Sequence, residues 1–215
     1  MKNTTEMKQP NVLLINGSPN SDGCTHTALA EMARTLNAEG VETEIINIGQ
    51  KDIRGCIACG RCSELGHCVF NDMVNEVAPK FEAADGLVVG SPVYYASANG
   101  TLTNFLDRLF FSTPFPKRFK VGAAVCSARR GGTTATFDQL NKYFTISEMP
   151  IASGRYWNMV HGNNREEVMQ DTEGMQNMRI LARNMAFLIR AIAAERLKSG
   201  LPQQEEIVYT NFIRQ

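Results

Sequence analysis

The sequence predicts an α/β fold built on a parallel sheet with helices on both faces. Short apolar runs rich in strand-forming residues alternate with segments whose apolar residues recur every three or four positions. The predicted strands end in clusters of small and turn-forming residues, which mark loops before helices. This alternation is typical of right-handed crossovers between parallel strands, and such folds bind ligands at the carboxyl ends of their strands.

The first unit is a strand, a loop and a helix. Residues 12–15 form an apolar run that ends at the break Asn16-Gly17-Ser18-Pro19. Residues 25–39 carry apolar side chains at helical spacing, and Gly40 is placed as a glycine that ends a helix. Residues 41–48 alternate between apolar and polar and therefore predict the second strand.

The rest of the chain continues the pattern. Residues 72–84 predict a helix, and residues 86–90 predict a buried third strand that ends at Ser91-Pro92. A helix over 102–111, a fourth strand over 120–126, a helix over 133–144 and a fifth strand over 149–153 follow. A long helix over 166–198, broken near Gly174, completes the predicted fold.

Length and composition predict one domain. A chain of 215 residues with 43% hydrophobic residues can bury one sizeable core, which we place in residues 1–200. Residues 50–72 form a cysteine-rich insertion in that domain. Residues 201–215 form a C-terminal tail with a short apolar run at 207–209.

The charge balance excludes several partner classes. Twenty-two Lys and Arg match twenty-two Asp and Glu, so we expect no nucleic-acid and no membrane-surface partner. Residues 1–9 are polar and lack a signal-peptide core, and no run reaches the roughly 18 apolar residues that a membrane span needs. We therefore expect a cytoplasmic protein, in which six cysteines act as thiols, metal ligands or redox groups rather than disulfides.

The loop after the first strand is suited to an anion. Residues 17–27 are dense in hydroxyls and small residues and lead into a helix, whose N-terminal N–H groups and dipole attract phosphate. The loop lacks the patterns of a nucleoside-triphosphate or dinucleotide site, so a monophosphate fits better. The alternative is an ordinary turn in which Asp22 or Thr25 caps the helix.

Two further loops follow the third and fourth strands. Residues 91–100 contain the adjacent tyrosines Tyr94 and Tyr95, which could flank a planar ring or serve as packing residues. Residues 127–134 contain paired glycines that allow close approach of a ligand. The arginines beside those glycines could hold a carbonyl edge or an incoming donor, or lie solvated in a simple turn.

The cysteine-rich segment is the strongest redox signal. Cys56, Cys59, Cys62 and Cys68 fall within thirteen residues, and this spacing can direct four thiolates at a cubic iron–sulfur cluster or a zinc ion. A set of reactive thiols would use the same residues. Cys126 lies in a predicted strand and is interpreted as a small buried residue.

These segments together resemble one family, the iron–sulfur flavoproteins within the NAD(P)H-dependent FMN reductases of flavodoxin-like fold. The resemblance covers about residues 12–196. It rests on Gly17-Ser18-Pro19 with Thr25, the four cysteines followed by Asp72-Met73, the segment from Ala84-Asp85-Gly86 to Ser91-Pro92-Val93-Tyr94, and Leu106-Asp107-Arg108.

The resemblance implies a flavodoxin-like doubly wound sheet of five strands in the order 2-1-3-4-5. It implies that the first loop holds the phosphate of FMN, that the second and third line the flavin ring, and that the four cysteines ligate a [4Fe–4S] cluster. It further implies a homodimer or homotetramer in which a neighbouring subunit helps to complete the site. The candidate FMN-binding residues are Ser18, Asn20, Cys24, Thr25, His26, Thr27, Pro92, Val93, Tyr94, Tyr95, Ala96, Ser127, Arg129, Arg130, Gly131 and Gly132.

The chain departs from the family at two places. Asn20 stands where many relatives have arginine, and Cys24 stands where asparagine is common, so phosphate contacts there differ. Trp157, with Asn158 and His161 close by, follows the predicted fifth strand and either caps the flavin or packs in the core.

The expected function is transfer of a hydride from NADH or NADPH to FMN, with electrons passing on to a quinone, a nitro or azo compound or free flavin, or through the cluster to a carrier protein. The flavin performs the chemistry, so no dedicated acid–base pair is expected. The alternatives are an FMN-binding electron carrier without small-molecule turnover and a cysteine-based redox sensor.

Overall fold

The computed structural model describes residues 9–210 and 212. The predicted polar segment at the N-terminus, apart from Gln9, and four positions of the tail lie outside the described residues. The strands are β1 (Asn11–Asn16), β2 (Glu42–Asn47), β3 (Gly86–Tyr94), β4 (Ser97–Ala98), β5 (Val121–Ala128) and β6 (Met159–His161). The helices are α1 (Cys24–Ala38), α2 (Cys62–Leu65), α3 (Met73–Ala83), α4 (Gly100–Ser112), α5 (Thr133–Thr145), α6 (Arg165–Gln170) and α7 (Thr172–Ser199).

The sheet confirms the predicted fold class and topology. Its parallel strands lie in the order β2-β1-β3-β5-β6, which is 2-1-3-4-5 when the five parallel strands are counted along the chain. This is the flavodoxin-like order, whose ligand site lies where the direction of winding reverses, between β1 and β3. The short strand β4 is an addition that pairs antiparallel with the end of β3.

Side chains on the strands alternate between two cores. Leu13 and Ile15 of β1 face one core with α3, α4 and α5, while Val12 and Leu14 face the other with α1, α6 and α7. Both faces are therefore covered, which explains why the central strands are apolar at nearly every position. Within the described residues, none of the helices is long and apolar enough to cross a membrane.

The predicted fifth strand is wrong. In the predicted segment 149–153, Ile151 makes only a single bridge to Gly122, and the regular fifth parallel strand is β6, eight residues further on. Pro150 offers only a carbonyl, which accepts from Gly122 N–H at 2.8 Å, so the ladder stops after one step. The chain then leaves the sheet edge and rejoins it at Met159.

The long helix is interrupted three residues before the predicted break. Asp171 ends α6, and its carboxylate accepts from the N–H of Gly174 at 2.9 Å and of His161 at 2.8 Å, so it caps α7 and ties it to β6. A Cβ at Gly174 would lie 2.4 Å from that carboxylate. The glycine is therefore needed inside the first turn of α7 and does not mark the break itself.

Candidate functional site

The three candidate loops meet at the carboxyl edge of the sheet. They follow β1, β3 and β5, which are neighbours and run parallel. The first and third loops are joined by a hydrogen bond of 2.8 Å between the buried hydroxyls of Thr25 and Ser127. The first loop is joined to β3 by the N–H of Gly17, which donates to the carbonyl of Gly90 at 2.9 Å.

The first loop is shaped by its own side chains. Asn16 Oδ1 accepts from Ser18 N–H at 3.1 Å, Ser18 Oγ accepts from Asn20 N–H at 3.1 Å, and Asn20 Oδ1 accepts from Asp22 N–H at 3.2 Å. Each contact closes a short turn of the type that Asn and Ser favour. The Ser18 hydroxyl acts only as an acceptor in its turn, so its proton is available to a ligand.

The helices behind the first and third loops begin without a side-chain cap. In the described chain, α3, α4 and α7 are capped by Asp72, Asn99 and Asp171. By contrast, the N-cap residues of α1 and α5 are Gly23 and Gly132, and neither helix has a side-chain cap or an acidic residue in its first turn among the described residues. The predicted alternative, in which Asp22 or Thr25 caps α1, is wrong. Both helix ends therefore direct free N–H groups towards the carboxyl edge, where an anion is favoured.

The remaining first-loop candidates differ in what they can offer a ligand. The Thr27 hydroxyl donates to the carbonyl of Gly23 at 3.0 Å, so its proton is used within the helix. The Cys24 thiol donates to the carbonyl of Gly162 at 3.5 Å, and burial raises the pKa of Cys24, with a smaller increase from Glu167. His26 Nδ1 is buried without a hydrogen-bond partner among the described residues.

The second loop is a tight hairpin rather than a break after the third strand. Contrary to the predicted end at residue 90, β3 continues through Pro92 and Val93 to Tyr94. Tyr95 and Ala96 both have positive φ angles, 50° and 60°, which is the conformation that a two-residue hairpin turn requires. Tyr94 is half exposed and Tyr95 fully exposed, so neither is a core packing residue.

A side chain outside the candidate list holds this hairpin in place. Gln139 of α5 accepts from the Ser97 hydroxyl and from the Ala98 N–H, each at 2.9 Å. The sequence does not signal this role of Gln139, because nothing in a helical glutamine indicates a contact with a loop forty residues earlier.

The third loop packs against the second. Gly132 has a φ of 88°, and a Cβ there would lie 2.9 Å from Cα of Ala96 and from a side-chain carbon of Val93. Only glycine allows this approach. Arg129 and Arg130 are exposed and have no hydrogen-bond or ion-pair partner among the described residues, so two cations stand free beside the hairpin.

The four cysteines of the insertion line one small pocket. Cys56 and Cys59 are exposed, Cys62 is half-buried and Cys68 is buried. The N–H of Ala58 donates to Cys56 Sγ at 3.4 Å. Within the described residues, no group of three or more His, Cys, Asp or Glu side chains is arranged to hold a metal ion. The four thiols thus share one pocket.

Three side chains from α3 and α4 anchor the insertion. Asn75 accepts from Cys68 N–H at 3.0 Å and donates to Cys68 O at 2.8 Å. Asn104 donates to Ile53 O at 3.0 Å. Arg108, which is 1% exposed, binds the Asp72 carboxylate and Cys68 Sγ. The Leu106-Asp107-Arg108 motif contributed to the family resemblance, but the sequence did not reveal the role of Arg108.

Two further predictions concern Cys126 and Trp157. Cys126 is fully buried in β5, and burial raises its pKa to about 12, in agreement with a structural thiol.

Tyr156 and Trp157 form an exposed T-shaped pair with ring centroids 4.7 Å apart. Asn177 fixes their turn by accepting from Arg155 N–H at 2.7 Å and Tyr156 N–H at 3.1 Å. Trp157 is therefore not a core residue, and its predicted contact with a flavin stays a prediction.

Similarity to known proteins agrees with these features. Residues 10–164 match the family described as NADPH-dependent FMN reductase. An iron–sulfur flavoprotein of Methanocaldococcus jannaschii is 32% identical over 192 residues, which cover 84% of this chain and 98% of that protein.

Solved structures show the same fold at low identity. RosB with the bound intermediate 8-demethyl-8-formylriboflavin-5'-phosphate has a TM-score of 0.68 at 16% identity, over 96% of this chain and 94% of that chain. A flavodoxin from the domain Archaea has a TM-score of 0.58 at 13% identity, over 84% and 99%. The sheet order and the loops agree with these similarities. The chain therefore belongs to the NADPH-dependent FMN reductase family of flavin oxidoreductases, and within that family it is similar to the iron–sulfur flavoproteins.

Proposed function

We propose that the protein binds FMN where the three loops meet, accepts a hydride from NADH or NADPH, and passes electrons to a small acceptor or through a [4Fe–4S] cluster to a carrier. The observation that carries the proposal is the pair of uncapped helices, α1 and α5, at the carboxyl edge of the sheet. In the described chain, the other helices of more than six residues supply an Asp or Asn cap, so these two ends are kept free for a ligand.

The residues present fit the phosphate of FMN. The N–H groups at the start of α1 and the dipole of this fifteen-residue helix favour a dianion. Ser18 has a hydroxyl proton to donate, and Thr25 shares its proton with Ser127 in either direction. Asn20 adds a neutral amide where a relative would supply an arginine, so here the phosphate depends on backbone and hydroxyl donors.

The residues also fit a planar ring. The hairpin tip presents Tyr94 and Tyr95 on a rigid turn, and Gly132 brings the backbone of the third loop against it. Backbone donors at a fixed spacing suit the polar edge of a flavin, and an exposed aromatic side chain suits its face. Arg129 and Arg130 supply two cations for the phosphates of an incoming NADH or NADPH.

When bound, FMN supplies the hydride acceptor and the electron store for the reaction. The protein's own contribution is to fix the phosphate at α1 and to hold the ring between the second and third loops. Burial raises the pKa of the Cys24 thiol in the first loop, which keeps it protonated. Because the flavin performs the chemistry, we expect the protein to position the reactants without a dedicated general acid or base.

The four cysteines fit the ligand set of a [4Fe–4S] cluster. A cubic cluster takes one thiolate at each of four irons, and Cys56, Cys59, Cys62 and Cys68 all line one pocket. A zinc ion would use the same four thiolates, and a metal assay distinguishes the two.

The rim of the cysteine pocket is apolar and exposed. Ile57 is 51% exposed, Val69 39% and Phe111 68%, and all three line the pocket. Clustered apolar side chains at the surface mark sites of protein contact. We therefore expect the electron acceptor of the cluster, either a carrier protein or a neighbouring subunit of a homodimer or homotetramer, to dock on this rim.

Anaerobic titration of the purified holoprotein with NADH and, separately, NADPH tests the activity. Bleaching of the flavin absorption by one equivalent of nucleotide, followed by reoxidation with a quinone, is the expected result. If dithionite reduces the flavin but neither nucleotide does, the protein is an electron carrier and the proposed activity is wrong.

Replacing Ser18 and Thr25 together with alanine should weaken FMN binding. Ser18→Ala removes a hydroxyl that can donate to the phosphate, and Thr25→Ala removes the hydroxyl that bonds Ser127. A hydrogen bond to a charged group contributes about 1.5–3 kcal/mol. We expect the Kd of FMN to rise about tenfold or more, measured by fluorescence titration of the apoprotein. The matched control is Thr103→Ala, which removes a helical hydroxyl whose hydrogen bond within the described residues is to Gly100 O. An unchanged Kd in the double variant would rule out the first loop as the phosphate site.

A further inference from the structure

The guanidinium of Arg108 is fully hydrogen-bonded, and one of its acceptors is sulfur. Nη1 donates to Asp72 Oδ2 at 2.6 Å and Arg54 O at 3.2 Å, and Nη2 donates to Asp72 Oδ1 at 2.9 Å and Phe70 O at 3.5 Å. Nε donates to Cys68 Sγ at 3.2 Å. A guanidinium has five N–H groups, so every donor is used.

The four oxygen contacts account for the structural part of this arrangement. Two carbonyls of the insertion and the carboxylate that caps α3 are held to α4 by one side chain. The fifth contact is different, because a neutral thiol is a weak acceptor, whereas a thiolate or a metal-bound thiolate is a strong one. Nε faces Cys68, which at 9% exposed is the buried member of the four cysteines.

The charge on Arg108 is permanent. Burial opposes the charged form, but the hydrogen bonds with Asp72 and then Cys68 outweigh it and raise the pKa of Arg108 above its already high ordinary value. Its side chain is 1% exposed, so solvent does not screen the contact with sulfur. Among the described residues, the other N–H donor on a cysteine of this pocket is the backbone of Ala58, at Cys56.

We infer that Arg108 is a positioning residue that sets the reduction potential of the iron–sulfur centre through its N–H···S bond to Cys68. The inference rests on the cluster of the proposed function. A donor aimed at a ligand sulfur stabilises the state that carries more negative charge, which is the reduced one, and so raises the potential. Arg108 would thereby make the cluster a better acceptor for electrons from the flavin.

The test compares two variants of α4, of which only Arg108→Lys removes a hydrogen bond to a cysteine. Arg108→Lys keeps a positive charge near Asp72 but removes the fixed Nε donor at Cys68. Asn104→Ala removes an anchor of the same insertion, the bond to Ile53 O, and touches no cysteine. We expect Arg108→Lys to shift the midpoint potential of the centre to a more negative value, measured by EPR-monitored redox titration, and Asn104→Ala to leave it unchanged.

Equal potentials in Arg108→Lys and the wild type, or an equal shift in Asn104→Ala, would overturn the inference while leaving the proposed function intact. A wild-type protein that carries no iron after anaerobic purification would overturn both. If Arg108→Lys fails to assemble the centre, a measurement on the wild-type protein tests the N–H···S bond instead. Protein labelled with ¹⁵N-arginine should show a nitrogen coupling to the reduced centre in pulsed EPR, and its absence would contradict the N–H···S bond.

Discussion

Replacing Cys59 with alanine is expected to remove nearly all the iron from the protein and to leave FMN bound. Cys59 is exposed and lines the cysteine pocket, so its loss deletes one of four ligands without opening a cavity in the core. The insertion keeps its own anchors at Asn75, Asn104 and Arg108, which hold residues other than Cys59. Iron and flavin contents per chain, assayed on the same anaerobic preparation, measure the effect.

The control for this prediction is Ser63→Ala in the same segment. Ser63 is exposed, and its hydroxyl bonds the backbone carbonyl of Gly60 at 2.7 Å, so its removal perturbs the insertion without deleting a thiol. Iron should stay at the wild-type level in this control. Retention of iron in Cys59→Ala would show that Cys59 is not a ligand, and loss of flavin together with iron would show that the insertion supports the flavin site.

Replacing Gly49 with alanine is expected to disrupt the phosphate loop. A Cβ at residue 49 would lie 2.1 Å from the carbonyl carbon and oxygen of Ser18 and 2.4 Å from Pro19 N. These are backbone atoms, so the loop itself must move. Overpacking of this kind costs about 1–3 kcal/mol, which corresponds to a fall in Tm of roughly 2–12 °C for a chain of this size. We also expect a clear loss of FMN affinity, because Ser18 would be displaced.

Gly100→Ala is the matched control for Gly49→Ala. A Cβ at Gly100 meets no atom within 4 Å, and the residue begins α4, where alanine is favoured over glycine. Its Tm and its FMN affinity, from thermal unfolding and fluorescence titration, should equal or slightly exceed those of the wild type. Wild-type Tm and affinity in Gly49→Ala would mean that the first loop tolerates displacement and does not define the phosphate site.

The central strands and the loops that follow them were predictable because their signals are local. The apolar run of β1 and its end at Asn16-Gly17 are set by side-chain burial on both faces and by turn chemistry within a few residues. The same holds for β5 and the glycines that follow it. Parallel neighbours then bring their carboxyl ends together, so the meeting of the three loops follows from topology alone.

The edge strand and the hairpin were not predictable in the same way. Residues 149–153 have the composition of a strand, but Pro150 lacks the N–H that the ladder needs. The detour that moves regular pairing to Met159–His161 is held by Asn177, a distant partner that local sequence does not reveal. Ser91-Pro92 looks like a strand end, yet β3 continues because Pro92 lies beside Ser127 near the end of the ladder, where a missing N–H costs little.

The four cysteines of the candidate cluster were evident from spacing, whereas the residues that hold them were not. Arg108 lies on an amphipathic helix, where an arginine is ordinarily solvated, and its burial depends on Asp72 and on carbonyls at residues 54 and 70. Asn75 and Gln139 are likewise defined by contacts across the fold. The sequence thus shows the thiols of the candidate cluster, whereas the residues that position them appear only in the fold.

The visible spectrum of anaerobically purified protein, with iron, sulfide, zinc and flavin assayed on the same sample, tests the proposed cofactors. We expect flavin bands on a broad iron–sulfur absorption, with about four irons and four sulfides per chain and no stoichiometric zinc. Flavin bands without iron would contradict the cluster and leave a simple flavin reductase, and a protein that binds no flavin would contradict the site at the uncapped helices.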